Sequence, residues 1–251
     1  MTAKKIIPCL DMKDGKVVKG IKFQGLQDIG DPPTLAAKYE RDGADEVAFL
    51  DISATVEGRQ TTLEAVAATA IVLNIPFTVG GGIRSKQDMK EVLDAGASKV
   101  SINSAAVYDS NIVRECADEF GSEKLIIAID AKWEEDKWIV YTHGGMQSSG
   151  IDTVEWVKKV ESLGAGGILL TSIDADGEKE GYDIPLTAAI ADAVDIPVIA
   201  SGGCGSVEHI YDVLTKTKAA AALAASVFHY NEYTVADVKE YLHGRGVSVR
   251  L

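Results

Sequence analysis

Short apolar runs alternate along this chain with longer stretches in which apolar positions recur every three or four residues. Ile6-Ile7-Pro8-Cys9-Leu10-Asp11 is the first such run, and it ends on a carboxylate before a glycine-containing loop. Runs this short, rich in branched residues and bounded by loop residues, read as buried parallel strands. Further runs of the kind lie at 46–51, 76–79, 99–102, Ile126-Ile127-Ala128-Ile129-Asp130, 167–172, 196–200 and 219–224. Helical periodicity falls between them, at 33–42, 62–73, 85–95, 110–120, 152–163, 185–193, 206–214 and 235–242. Ser85 with Asp88, and Asp152 with Glu155, have the spacing of helix N-terminal caps, and Ser206 stands at a third cap position. The pattern predicts eight strand–helix units. Two segments interrupt it. Residues 12–31 carry Gly15, Gly20, Gly25 and Gly30 and read as a long loop of the lid type, with room for a small hairpin at 17–23. Residues 133–150 form a polar insertion that has room for a second hairpin.

The second half repeats the first. Asp11 matches Asp130, Val79-Gly80-Gly81-Gly82 matches Ala200-Ser201-Gly202-Gly203, and Asn103-Ser104 matches Ala225-Ser226, each pair about 120 residues apart. The fold class that follows is α/β, a (βα)8 TIM barrel built from two similar (βα)4 halves, as one domain over residues 1–251. An open doubly wound sheet is the competing architecture, but no G-x-G-x-x-G follows the first strand.

Composition narrows the chemistry. Hydrophobic residues make up 46% of the chain and charged ones 25%, so a sizeable core is available. The formal net charge of −13 disfavours nucleic acid or an anionic membrane as partner, but not a small anion in a locally positive pocket. Cys9, Cys116 and Cys204 form no C-x-x-C pair, and the four histidines show no H-E-x-x-H spacing. No disulfide framework, metal or cofactor is therefore expected. The apolar run before Asp11 is too short for a secretory signal and no run reaches a membrane span, so a cytoplasmic location is expected.

Active sites of such barrels lie at the carboxyl ends of the strands, where the first and fifth strands face each other. Asp11 and Asp130 end those two strands. They are placed to serve as acid and base on opposite sides of one substrate, although a lone strand-end Asp more often only caps the next element. An apolar setting such as Cys9 and Leu10 provide would raise a carboxyl pKa toward the acid role, but the residues do not say which Asp takes it. The glycines after the third and seventh strands let backbone N–H groups approach an anion. Asn103 and Ser104 flank one glycine turn and Ser226 the other. Two such turns imply a ligand with a phosphate at each end.

These stretches also carry a resemblance. Ile6 to Asp11, Gly15-Lys16-Val17-Val18-Lys19-Gly20, Phe49-Leu50-Asp51-Ile52, Val79-Gly80-Gly81-Gly82-Ile83, Ile102-Asn103-Ser104-Ala105-Ala106, Ala128-Ile129-Asp130-Ala131-Lys132, Leu170-Thr171-Ser172-Ile173-Asp174, Ala200-Ser201-Gly202-Gly203 and Ala224-Ala225-Ser226-Val227-Phe228-His229 resemble the cyclase subunit of imidazole glycerol phosphate synthase, from end to end. The resemblance implies a lyase of histidine biosynthesis. It would combine ammonia with phosphoribulosyl-formimino aminoimidazole carboxamide ribonucleotide, a bisphosphate. The products would be imidazole glycerol phosphate and aminoimidazole carboxamide ribonucleotide. It further implies a glutaminase subunit docked on the bottom of the barrel and feeding ammonia through its core. By position, Asp11 and Asp130 are the acid–base pair and Lys19 is a lid lysine that meets the substrate, where the residues alone would read it as a solvated loop lysine. Gly82, Asn103 and Ser104 fall on one phosphate site, and Asp176, Gly177, Gly203, Ala225 and Ser226 on the other. Asp51 and Thr171 join the substrate-binding set, although Asp51 could equally be structural. Lys5, Glu46 and Lys99 match a charged gate at the bottom of the barrel.

Departures from the family pattern sit away from the acid–base pair. Gln27 stands where a basic lid residue is usual, Ser98 where Asp is usual on the glutaminase face, and Gly167 where the gate has its fourth charged residue. They bear on coupling to a glutaminase more than on cyclization. Two other readings compete. One is the sister isomerase of the same pathway, against which the stretches Thr171 to Asp174 and Ala224 to His229 count; the other is a non-catalytic phosphate-binding barrel, against which both aspartates and Lys19 count.

Overall fold

The computed structural model describes residues 3–13, 15–21, 24–57 and 61–251. The first half begins with β1 (Lys5–Lys13), followed by the hairpin β2 (Lys16–Ile21) and β3 (Gln24–Gly30), then α1 (Pro32–Arg41) and β4 (Val47–Asp51). It continues through α2 (Ala54–Glu57), α3 (Leu63–Val72), β5 (Phe77–Gly80), α4 (Lys86–Asp94), β6 (Lys99–Ile102), α5 (Ser104–Tyr108) and α6 (Asn111–Phe120). The second half follows the same order, except that among the described residues α2 has no counterpart there. β7 (Leu125–Glu134) leads to the hairpin β8 (Lys137–Thr142) and β9 (Gln147–Asp152), then α7 (Thr153–Ser162), β10 (Gly167–Ser172), α8 (Ile184–Ala193) and β11 (Val198–Ser201). It ends with α9 (Val207–Lys216), β12 (Ala221–Ala224), α10 (Ser226–His229) and α11 (Val235–His243).

Among the described residues, β1, β4, β5, β6, β7, β10, β11 and β12 pair in parallel in that order, and β12 pairs back with β1. This is the closed (βα)8 barrel expected. Its halves match in detail: each first strand is followed by an antiparallel hairpin, β2–β3 on β1 and β8–β9 on β7. The described residues of the 12–31 segment thus form mostly strand, in place of the long loop that its glycines imply. The hairpin expected at 17–23 begins as expected, but Lys22 and Phe23 lie outside the described residues. A further difference is that both β6 and β12 run directly into short helices, α5 and α10, with too few residues to show a helical period.

Strand alternation divides the core in two. Ile6, Leu10, Val47, Phe49, Phe77, Val79 and their equivalents face the helices, while Ile7, Cys9, Ala48, Ile126, Leu169, Ile199, Ala221 and Leu223 fill the interior of the barrel. Local chemistry fixes the helix starts. Ser85 and Asp88 form a reciprocal capping box, as do Thr234 and Asp237, and the Asp152 carboxylate accepts from Val154 N and Glu155 N. Ser206 holds the N-cap position of α9 without making a capping bond. Among the described residues no helix is long and apolar enough to cross a membrane.

Candidate active site

The inward alternation that places Ile7 and Cys9 inside the barrel carries on to Asp11, and that of Ile126 and Ala128 carries on to Asp130. β1 and β7 have three strands between them either way round the ring, so the two carboxylates face each other across its carboxyl-terminal mouth. Asp11 is buried, and its Oδ1 accepts a hydrogen bond from Cys9 Sγ at 3.3 Å. Cys9 therefore meets Asp11 as a donor and not as the apolar wall expected, and Leu10 faces the other core. Alternation alone makes this pair legible, since residues two apart on a strand share a face.

Asp130 keeps part of its surface open but is set deep in the mouth. Desolvation there pushes its carboxyl up to about 6, against the lowering effect of Asn103, whose Nδ2 donates to Oδ2 at 2.9 Å; the Asp176 charge adds a smaller upward push. Thr171 lies level with Asp130 on the neighbouring strand, and Ser201 lies level with Thr171 on the next.

The two glycine turns take the same form. Gly81 and Gly82 have φ of 96° and 70°, and Gly202 and Gly203 have 89° and 94°. A Cβ at Gly81 would lie 2.1 Å from the Asp51 carbonyl oxygen, and one at Gly203 would lie 2.0 Å from that of Gly181. Only glycine lets these backbones approach so closely. Beside the first turn, Ser104 opens α5 and its Oγ accepts from His143 N in the β8–β9 turn at 3.1 Å. Beside the second, Gly181 N donates to Gly203 O, which ties the loop carrying Asp176 and Gly177 to the turn; Ala225 and Ser226 open α10. The residues expected at each phosphate site are thus gathered in two groups, on opposite sides of the mouth.

Asp51 and Lys19 stand apart. Asp51 is buried on the outward-facing side of β4, with Val47 and Phe49, and its Oδ1 accepts from Ala54 N at the start of α2. The structure does not bring it to the inward-facing set. The backbone of Lys19 pairs with that of Gln27 across the β2–β3 hairpin, but both side chains lie outside the described ones.

At the opposite end, Lys5, Glu46 and Lys99 do converge. Glu46 is 1% exposed; its Oε2 meets Lys99 Nζ at 2.7 Å and Lys5 Nζ at 3.6 Å, while its Oε1 accepts from Thr78 Oγ1 at 2.5 Å. Thr78 is a member of this cluster that the sequence reading passed over. Gly167 adds only backbone there, and a Cβ on it would lie 3.0 Å from Ile126 Cδ1. Ser98, on the same end, is used locally: its Oγ accepts from Phe77 N. Among the described residues no group of His, Cys, Asp and Glu could hold a metal ion.

Comparison with known proteins identifies the family. The family model for "Histidine biosynthesis protein" matches residues 5–234. The chain is 57% identical over 251 residues to imidazole glycerol phosphate synthase subunit HisF of Thermococcus onnurineus (strain NA1), spanning 100% of this chain and 99% of that protein. The chain therefore belongs to the histidine biosynthesis family and, within it, to the family of the HisF subunit of imidazole glycerol phosphate synthase.

Proposed function

We propose that the barrel closes the imidazole ring from ammonia and phosphoribulosyl-formimino aminoimidazole carboxamide ribonucleotide, with Asp130 as general acid and Asp11 as general base. The observation that carries this reading is the pair of inward-facing carboxylates on opposite strands, set between two glycine turns of matching form. A bisphosphate anchored at both turns spans the mouth, so its reacting centre lies between the carboxylates. A carboxyl held near 6 keeps a useful protonated fraction near neutrality and can donate a proton; a buried carboxylate across the mouth can accept one. Thr171 contacts the substrate beside Asp130. Asp51 shapes the first turn through its backbone and the cap of α2, in place of touching the substrate. The reading is tested by incubating purified protein with the bisphosphate, with and without ammonium. Ammonium-dependent formation of both products is expected, and its absence would refute the assignment. Two sulfate or phosphate ions should appear in a soaked crystal, one near Gly82, Asn103 and Ser104 and the other near Gly177, Gly203 and Ser226; density at neither place would count against the bisphosphate.

The relative's name marks it as one subunit of a synthase. A glutaminase partner for this chain is supported by the amino-terminal end of the barrel. There the gate cluster lies at the strand starts, and Ile71 and Val72 are exposed at the carboxyl-terminal end of α3. With one carboxylate for two lysines and Gly167 in the fourth place, the gate is under-neutralized, and Ser98 brings no docking charge. Coupling is therefore expected to leak: glutamine consumed should exceed product formed when a glutaminase of the family is added. Strict one-to-one coupling in the parent, unchanged in Gly167→Glu with Ser98→Asp, would contradict this.

A further inference from the structure

Asn103 occupies the N-cap position of α5, the place where an asparagine side chain ordinarily accepts from the first free N–H groups of the helix. It makes no such bond. Its Nδ2 instead donates to Asp130 Oδ2 at 2.9 Å, and its own Oδ1 is buried and accepts no hydrogen bond. A buried acceptor without a donor is unfavourable, and so is an uncapped helix start. The backbone at Asn103, with ψ of −94°, lies outside the extended region that side-chain capping needs, so the side chain reaches to Asp130 instead, and it does so with its own Oδ1 left buried and without a donor.

The repeat sharpens the point. Ala225 stands to Asp11 as Asn103 stands to Asp130: both end the strand beside the one that carries the carboxylate, and their backbones agree, with φ, ψ of −118°, −94° and −123°, −69°. Ala225 has nothing to donate. Conversely Cys9, which donates to Asp11, has Ala128 as its counterpart beneath Asp130. The symmetric frame thus gives each carboxylate a different donor, from a different direction.

We propose that Asn103 is the positioning residue for the Asp130 proton, and not primarily a phosphate ligand; this rests on the acid role given to Asp130 above. In a carboxylic acid the carbonyl oxygen is the better acceptor of a hydrogen bond. An amide N–H fixed on Oδ2 therefore keeps the carbonyl character there and leaves the proton on Oδ1. The same N–H also favours the ionised form, so it opposes desolvation and keeps the proton transferable. The ionisable groups around Asp130 include Lys132 and Glu134 further along β7, Asp174 and Asp176 on the loop after β10, Tyr141 level with it on β8, His143 in the β8–β9 turn, and Asp11 across the mouth. None of these donates to Oδ2 as Asn103 does.

The test is a direct titration of Asp130 by carboxyl-carbon NMR in the protein without substrate, for the parent, Asn103→Ala and Asn103→Ser. Loss of a donor to the ionised form must move the Asp130 midpoint up in both variants; an unmoved midpoint in a folded variant overturns the proposal. That readout needs no turnover, so it stands apart from a failure of the cyclase reading itself. In ammonium-dependent kinetics an acid must be protonated, so activity falls as pH rises through its pKa. That alkaline limb should move up with the NMR midpoint, with kcat lowered on the order of 10–100-fold and KM changed less than about threefold. Ser104→Ala, as the phosphate-side control, should raise KM and leave the limb in place. If Asn103→Ala behaves like Ser104→Ala, with KM raised and limb unmoved, Asn103 is a phosphate ligand and the proposal falls.

Discussion

Asp11→Asn and Asp130→Asn should each lower ammonium-dependent turnover by roughly 10²–10⁴-fold, the range of general acid–base catalysis. Substrate affinity should change far less, because the glycine turns that anchor the phosphates are untouched. The two variants should part company in stability. Asp130 is raised from 3.8 to about 6, so the folded protein holds its proton more tightly than the unfolded chain does. Its contribution to stability is therefore full below about pH 4 and lost as pH rises through 6. At pH 7 the native state carries a charged carboxylate in a poorly solvated place. Asparagine removes that charge and still accepts the Asn103 N–H. With allowance for the part of Asp130 that remains open to solvent, Asp130→Asn should gain roughly 1–3 kcal/mol at pH 7 and nothing at pH 3.5. Urea midpoints at the two pH values, set beside kcat, check both halves. Near-parental turnover in both variants would defeat the mechanism, and a loss of stability in Asp130→Asn at pH 7 would show that desolvation is not the dominant influence there.

Much of this site was legible because the chain states it twice. Asp11 with Asp130, and Gly81-Gly82 with Gly202-Gly203, recur at one spacing, and the structure puts each pair at equivalent places. Other features depend on partners far apart in sequence. The raised carboxyl of Asp130 reflects enclosure by several strands and the charge of Asp176, neither visible in Ile129-Asp130-Ala131. The β2–β3 hairpin is a ladder made between strands, so Gly20, Gly25 and Gly30 obscured how far it extends beyond the short hairpin expected at 17–23. Asp51 ends an apolar run as Asp11 does, but one position out of phase, and a single residue turns a strand side chain from the barrel interior to the helix side. The same counting would have found Thr78, which follows Phe77 on β5 and so faces Glu46 inside.

The largest stability effect is expected from the pair that fastens the last helix to the first strand. Asp45 precedes β4. Its Oδ2 accepts from Ile6 N at 2.8 Å on β1, and its Oδ1 meets Lys239 Nζ on α11 at 2.8 Å. The side chains of Lys239 and Asp45 are only 5% and 8% exposed, so neither charge is well solvated once its partner is gone. Asp45→Ala leaves a buried ammonium and an unsatisfied Ile6 N–H, and should destabilize the protein by about 3–5 kcal/mol. Lys239→Met leaves the carboxylate with one backbone donor, and a cost at the lower end of that range is expected. In the double variant the surviving charge is absent, so its cost should fall short of the sum of the singles by about 1–3 kcal/mol. The pair lies at the amino-terminal end of the barrel, opposite Asp11 and Asp130. Turnover per folded molecule should therefore stay near the parental value in all three variants. Urea denaturation of the four proteins gives the coupling, and a cost below about 1 kcal/mol for Asp45→Ala would mean that water reaches Lys239 when Asp45 is lost.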